Sequence, residues 1–283
     1  MNSQNNQNST TGAGVYRQPF SLGRFARANG TQLGILGVFF GLWLVFIFSA
    51  PQTFLQPQIY YAFMSTVPFF AIMAIPLTLL VIAKEMDLSF PSIMAMGMVA
   101  FLLTMEYSAG IGSISLRIFL AFIAALITGT LIGWLNGFIV VKFGIPSLVA
   151  TIGTQFLWRG AVLVLSQGQS GTLSYVKESF LYPLFVGKIG GYFPMQMVWL
   201  ILISILGWVF LNRHRFGAHI YLIGDNINSA ELMGINTGRV RIQVFALVGL
   251  VSAFAGVVAS FHVVYFWPSL GEGYLLRTLA SVF

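Results

Sequence analysis

The chain has 283 residues, of which 57% are hydrophobic and 7% charged, and it contains no cysteine. An ordinary soluble domain carries roughly 25% charged residues, so this composition belongs to a chain built for lipid, and disulfides and thiolate metal sites are excluded. Fourteen Lys and Arg stand against seven Asp and Glu, but a nucleic-acid binder gathers its basic residues on one face among aromatics, whereas here they fall singly or in pairs at the ends of apolar runs.

Residues 1–32 open with MNSQNNQNSTTGAG, a tract with too little apolar surface to pack, and read as a disordered, cytoplasmic N-terminus. A secretory signal would place its apolar segment within the first ~15–30 residues; here apolar sequence begins only near Leu33. Residues 33–283 read as a transmembrane domain. A helix needs about 20 apolar residues to cross the hydrocarbon layer. Suitable runs fall near 33–50, 59–83, 88–105, 116–141, 146–166, 195–211 and 242–261, with an eighth beginning near 271. Period-2 alternation is missing, which argues against a membrane barrel. The predicted fold class is an all-α, polytopic transmembrane helical bundle of about eight or more spans. The last run stops at LLRTLASVF, too short to cross, so the chain reads as C-terminally truncated, with a re-entrant segment as the alternative.

Lys and Arg in short loops mark the cytoplasmic side of a membrane protein. With the N-terminus inside, Arg17, Arg24, Arg27, Lys84, Lys142, Arg213, Arg215, Arg239 and Arg241 all fall inside, against Arg117, Lys177 and Lys188 outside. The same assignment puts residues 167–194 outside and a loop near 212–241 in the cytoplasm.

Three polar interruptions carry the functional signal. In AKEMDLSFPS, residues 83–92, Asp87 or Ser89 suits a helix cap at a tight turn. The same residues also suit a helix broken inside the membrane, with a carboxylate facing a polar pathway. In NGFIVVKFGIPSLVATIGTQFLWRG, residues 136–160, Gly144 and Ile145 make a turn and Pro146 is placed to open a helix. Thr151, Thr154, Gln155 and Arg159 then form a polar stripe on one helical face. An Arg inside an apolar span needs a partner or water; for Arg159, snorkelling or structural pairing stands beside a role on a substrate path. In GDNINSAELMGI, residues 224–235, Gly224 permits a turn, Asp225 or Asn226 can cap, Asn228–Met233 can form about two helical turns, and Gly234 supplies a left-handed stop. A helix this short is marginal alone. It suits either the lipid headgroup layer or a protein partner, and Glu231, repelled by anionic lipid, points to the partner.

Enzyme chemistry finds no footing. His214, His219 and His262 share no metal-ligand spacing with an acid, no phosphate-binding Gly-rich loop is present, and the acids offer no pair for acid–base work. The small residues of ITGTLIGWLNG, 127–137, suit close helix packing in lipid.

Together these stretches resemble the permease subunit of bacterial monosaccharide ABC importers of the ribose type, within the branched-chain amino acid and sugar permease superfamily. Asp87, Leu88 and Ser89 match the end of that family's Gly-Gly-Ile-Asp-Leu-Ser pattern. Asn136, Gly137, Gly144, Ile145, Pro146, Thr151, Gly153, Thr154, Arg159 and Gly160 match a second stretch, and Gly224, Asn226, Ala230, Gly234 and Ile235 a cytoplasmic loop pattern. The resemblance covers most of residues 60–260. Two departures stand out: Lys84, Glu85 and Met86 replace Gly, Gly and Ile, and the family runs on beyond LASVF.

The resemblance implies a multi-pass protein of the bacterial inner membrane, working as a homodimer or paired with a second permease. It would accept a monosaccharide from a periplasmic sugar-binding protein by alternating access. ATP and Mg would be bound by cytoplasmic ATP-binding subunits and not by this chain. On this reading Asp87, Ser89, Asn136, Thr151, Gln155 and Arg159 line the substrate path, and Gly224, Asn226, Ala230, Glu231, Gly234 and Ile235 form the ATPase coupling contact. Permeases for branched-chain amino acids or nucleosides share this architecture; a secondary transporter independent of ATPase subunits is the other alternative.

Overall fold

The computed structural model describes residues 29–283. The predicted disordered tract, with Arg17, Arg24 and Arg27, lies outside the described residues except for its last few positions. There the first helix has already begun: α1 spans Gly30–Ser49, ahead of the apolar run, because a first helical turn needs no apolar side chains. The chain divides into two compact units, one ending at Ile59 and one comprising Tyr60–Phe283. In the first, α1 stops at Ala50 because Pro51 follows and opens the short α2, Pro51–Phe54.

Among the described residues six helices are long and apolar enough to cross a membrane, or seven when the bent pair α3 (Pro57–Thr66) and α4 (Pro68–Ile82) is counted as one span. The 42° bend of that pair falls at Pro68, which has no N–H to continue the helical ladder. The other spans are α5 (Phe90–Tyr107), α6 (Ile114–Phe143), α7 (Ser147–Leu165), α9 (Met195–Arg213) and α12 (Thr237–Val263). Each of the seven long apolar runs becomes one of these. The eighth run becomes α13, Tyr274–Val282, a nine-residue helix that rises only about 13 Å. The bundle is therefore all-α and polytopic, a multi-pass membrane protein.

Helix α12 forms the centre: 78% of its most apolar stretch is buried, against 6% for α9. It lies directly on α6. A Cβ on Gly133 would strike the carbonyl of Phe245, and one on Gly249 would strike the carbonyl of Gly129. Lipid supplies no hydrophobic drive between helices, so backbone-to-backbone contact of this kind supplies much of the cohesion through dispersion.

The connections collect at two opposite ends. One end holds residues 83–89, the Gly144–Pro146 turn and the segment 212–241, joined by Lys84 to Asp225, Met86 to Ser147 and Glu85 to Arg241. The other holds 166–194, where β1 (Gly171–Thr172) pairs antiparallel with β4 (Tyr265–Phe266). Also at that end are a 3-10 helix at Ser174–Glu178, the short α8 (Leu181–Val186) and a hairpin of β2 (Lys188–Ile189) with β3 (Phe193–Pro194). Lys84, Lys142, Arg213, Arg215, Arg239 and Arg241 fall at the first end, and Arg117, Lys177 and Lys188 at the second.

Two local expectations are corrected. The loop near 212–241 contains a helix that hydropathy misses, α10 at Arg215–Asp225, which buries Gly217, Ile220, Ile223 and Gly224. Gly224 is thus not a turn residue. It lies in the last turn of α10, pressed so closely against the Ile82 carbonyl that any Cβ would collide with it. Helix α12 likewise begins five residues before its apolar run, because Asn236 caps it through Arg239 N at 2.9 Å and its polar first turns carry Arg239 and Arg241.

Candidate functional site

Residues 83–89 interrupt the helices between α4 and α5, and the interruption is stabilised from α7. The Met86 N–H donates to Ser147 Oγ at 3.0 Å and the Leu88 N–H to Thr151 Oγ1 at 3.1 Å. The match is geometric: two residues of open chain advance up to about 6.8 Å, and positions four apart on a helix are separated by about 6 Å. Hydroxyls at 147 and 151 therefore meet alternate N–H groups of the crossing strand.

Asp87 points the other way. Its Oδ1 accepts from the Ser89 N–H at 2.7 Å and from Ser89 Oγ at 2.6 Å. Asn136 on α6 donates through Nδ2 to Ser89 Oγ at 2.6 Å and to Asp87 Oδ2 at 3.3 Å. Asp87, Ser89, Asn136 and Thr151 are all essentially inaccessible. Burial raises the Asp87 pKa above the usual carboxylate value, and the hydrogen bonds from Ser89 and Asn136 offset part of that. Asn136 Oδ1 has no protein partner. Ser89 does not cap α5 through its side chain; Pro91 opens that helix, and the Ser89 hydroxyl is spent on Asp87.

Gln155, one turn beyond Thr151, joins the same group. Oriented to satisfy both amide atoms, its nitrogen donates to Leu88 O at 3.1 Å and Ser89 O at 3.2 Å, while its backbone carbonyl accepts from Ser92 Oγ at 2.8 Å. Thr154 is also buried. The stripe read from three- and four-residue spacing is real and faces the protein.

Arg159 extends that stripe to different partners. It donates to the carbonyls of Pro268, of Leu270 at 3.1 Å and of Pro91 at 3.4 Å, and pairs with Glu272 at 3.7 Å. Arg159 thus ties the loop between β4 and α13 to the start of α5. Structural pairing accounts for its charge in this conformation. Gly271 in the same loop, at φ +86°, leaves no room for a side chain beside Pro91. Glu272 and this loop carry no motif, so the sequence reading missed them.

At the basic end, α11 (Ile227–Leu232) is a short, well-delimited helix. Asn226 caps it, accepting from Ser229 N at 2.9 Å. Gly234, at φ +82°, ends it, with Ile235 N bonded to Ala230 O and Gly234 N to Glu231 O, the bond pattern of a left-handed helix stop. Ala230 is buried against the bundle, so it anchors the helix and presents no side chain outward. Glu231 Oε1 accepts from Thr237 Oγ1 at 2.7 Å. Glu231 is nonetheless exposed, and the outward surface also carries Leu232, 90% exposed, and Met233, 66% exposed, neither of which the sequence reading selected.

At the same end lies a cavity of about 650 Å³ lined by Lys84, Glu85, Met86, Val140, Ser147 and Arg241, among others. Asp87 follows the lining residue Met86 in the chain and does not itself line the cavity. Among the described residues no cluster of three or more His, Asp or Glu is placed to hold a metal ion.

Residues 59–283 match the family described as branched-chain amino acid transport system / permease component. The chain belongs to this permease family. The ribose import permease protein RbsC of Escherichia coli K12 is 31% identical over 214 residues, covering 75% of this chain and 64% of that protein. The RbsC of Haemophilus influenzae is 30% identical over 213 residues, with the same coverage of each chain. The autoinducer 2 import system permease protein LsrC of Escherichia coli SMS-3-5 is 34% identical over 215 residues, covering 74% of this chain and 58% of that relative. The chain therefore spans less than two thirds of the length of these relatives. No solved structure matches it. Within the permease family the matched region contains both the Asp87 cluster and α11.

Proposed function

We propose that this chain is the membrane-spanning permease of an ATP-driven importer, translocating a monosaccharide handed over by a periplasmic binding protein. It works in the bacterial inner membrane with its N-terminus cytoplasmic, as a homodimer or paired with a second permease. ATP and Mg are bound and used by separate cytoplasmic subunits. The observation that carries the reading is α11: a capped, anchored helix at the basic end of the bundle, presenting Leu232 and Met233 outward as a docking ridge for a soluble partner. Basic residues gathered at that end favour its facing the cytoplasm. The relatives' names, ribose and autoinducer 2 import permeases, support the substrate class.

In this role the Asp87, Ser89, Asn136, Thr151 and Gln155 group is the polar element of the path, closed in the conformation described. Alternating access exposes it by moving α5, α6 and α7 relative to one another, and Arg159 holds the loop between β4 and α13 against the start of α5. The family's description favours a second substrate class, branched-chain amino acids. Uptake of radiolabelled ribose into vesicles bearing the chain with its ATPase subunits tests both, with unlabelled sugars, leucine and nucleosides as competitors. Sugar-selective competition that survives collapse of ion gradients while ATP is maintained is expected. Competition by leucine alone would reassign the substrate, and loss of uptake with the gradient would indicate a secondary transporter.

A further inference from the structure

Along residues 82–89 the first half of the segment is tied to the docking side and the second half to the buried cluster. The backbone of α10 at Gly224 lies against the Ile82 carbonyl. Lys84 Nζ donates to the Asp225 carbonyl at 3.2 Å, immediately before the cap of α11. Glu85 pairs with Arg241 on the second turn of α12, just past α11; both side chains are largely shielded, at 11% and 17% exposure. The next three residues turn inward: Met86 to Ser147, Asp87 to Asn136, Leu88 to Thr151. No helix intervenes to absorb a displacement.

The conformation of the junction is specific. Glu85 N bonds to Leu80 O and Lys84 N to Val81 O, the bond pattern that ends a helix with a left-handed residue. That residue is Lys84, at φ +60°, where glycine would be unstrained. A strained position is maintained where its surroundings over-determine it, and here Lys84 itself and the adjacent Glu85 are both engaged on the docking side.

We infer that residues 83–89 are the transmission element of the importer, with Glu85 and Arg241 as the positioning pair that makes movement of the docking helix move the Asp87 cluster. Both residues of the pair line the cavity that Met86 and Ser147 also line. When α11 is displaced by its partner, α12 carries Arg241 with it. Glu85 follows, and the strand bearing Asp87 is drawn along α7. This inference rests on the proposed function.

The absence of cysteine allows a readout independent of substrate. Val140 lines the cavity and is 1% exposed, so a lone Val140→Cys thiol reports its opening to a charged, membrane-impermeant maleimide. In inside-out vesicles with the ATPase subunits, that parent is expected to label at rates differing about fivefold or more with and without ATP, the lower range of allosteric coupling. Adding Glu85→Gln or Arg241→Gln is expected to remove most of that difference, and the reversed pair Glu85→Arg with Arg241→Glu to restore it. Lys84→Gly, which keeps the turn and loses the bond to Asp225, supplies a variant whose folding is secure and should weaken the response. In every background a Leu232→Cys crosslink to the ATPase should persist. An undiminished ATP response in Lys84→Gly and in either charge variant, with that crosslink intact, would overturn the relay. A parent with neither an ATP response nor a crosslink would remove the importer reading and the relay with it.

Discussion

Asp87 and Asn136, 49 positions apart in the chain, meet in a deeply buried site, where the amide nitrogen of Asn136 reaches both the Asp87 carboxyl and the Ser89 hydroxyl. The pair fixes α6 to the open strand before α5. Removing one partner leaves a buried acid short of a donor, and an unsatisfied buried polar group costs roughly 1–3 kcal/mol. Asn136→Leu is therefore expected to lower the thermal unfolding midpoint in detergent, and Asp87→Asn in the Asn136→Leu background to recover part of the loss. No recovery in the double variant would show that the two side chains are not coupled.

Lys84 presents the opposite case, a residue whose replacement stabilises. A left-handed conformation costs an L-residue roughly 1–2 kcal/mol, and the bond to Asp225 is exposed. Lys84→Gly should raise the unfolding midpoint by the equivalent of up to about 1 kcal/mol, while Lys84→Val, β-branched at positive φ, should lower it. Equal midpoints for the two would contradict the observed backbone geometry.

The glycines divide into two classes that substitution should separate. Gly133 and Gly249 meet carbonyls across the α6–α12 contact, whereas Gly153 and Gly160 on α7 have open space where a Cβ would stand. Gly249→Leu should cost about 3 kcal/mol or more through overpacking and reduce the folded protein recovered from membranes. Gly153→Ala and Gly160→Ala should be tolerated, with helix propensity gaining up to about 1 kcal/mol.

Arg159 and Glu272 form an ion pair of unequal partners. Glu272 is 61% exposed and Arg159 only 13%, and Arg159 also serves three carbonyls. Glu272→Gln should change stability by less than about 1 kcal/mol, while Arg159→Met, which strands those carbonyls, should cost about 3 kcal/mol or more. Unfolding midpoints in detergent distinguish the two, and equal effects would place the energy in the ion pair.

What could be read from the sequence follows from contrast. A polar residue in an apolar run is conspicuous, so Asp87, Asn136, Thr151, Gln155 and Arg159 stood out, and the structure brings the first four together around Leu88 and Ser89. Pro146 and Gly234 were legible because each performs a backbone task that few residues can. An exposed Leu is invisible in a chain this apolar, so Leu232 gave no signal, although its 90% exposure marks the outward face of α11. Glu272 was hidden because its partner Arg159 is distant in the chain and no spacing rule links them. Helix α10 was missed because it is only 11 residues long and buries a single narrow face, Gly217, Ile220, Ile223 and Gly224, which shows as a helical period and not as an apolar run. The left-handed turn at Lys84 was masked by its departure from glycine in the pattern it otherwise resembles.

The central claim is that α11 docks a nucleotide-driven partner, and a thiol in this cysteine-free chain addresses it directly. With Leu232→Cys in inside-out vesicles, crosslinking to co-expressed ATPase subunits should give a specific adduct whose yield changes with ATP. A matching Ala230→Cys thiol, turned into the bundle, should give none. Absence of any adduct at Leu232→Cys, with expression and cytoplasmic labelling of the thiol both demonstrated, would contradict the account.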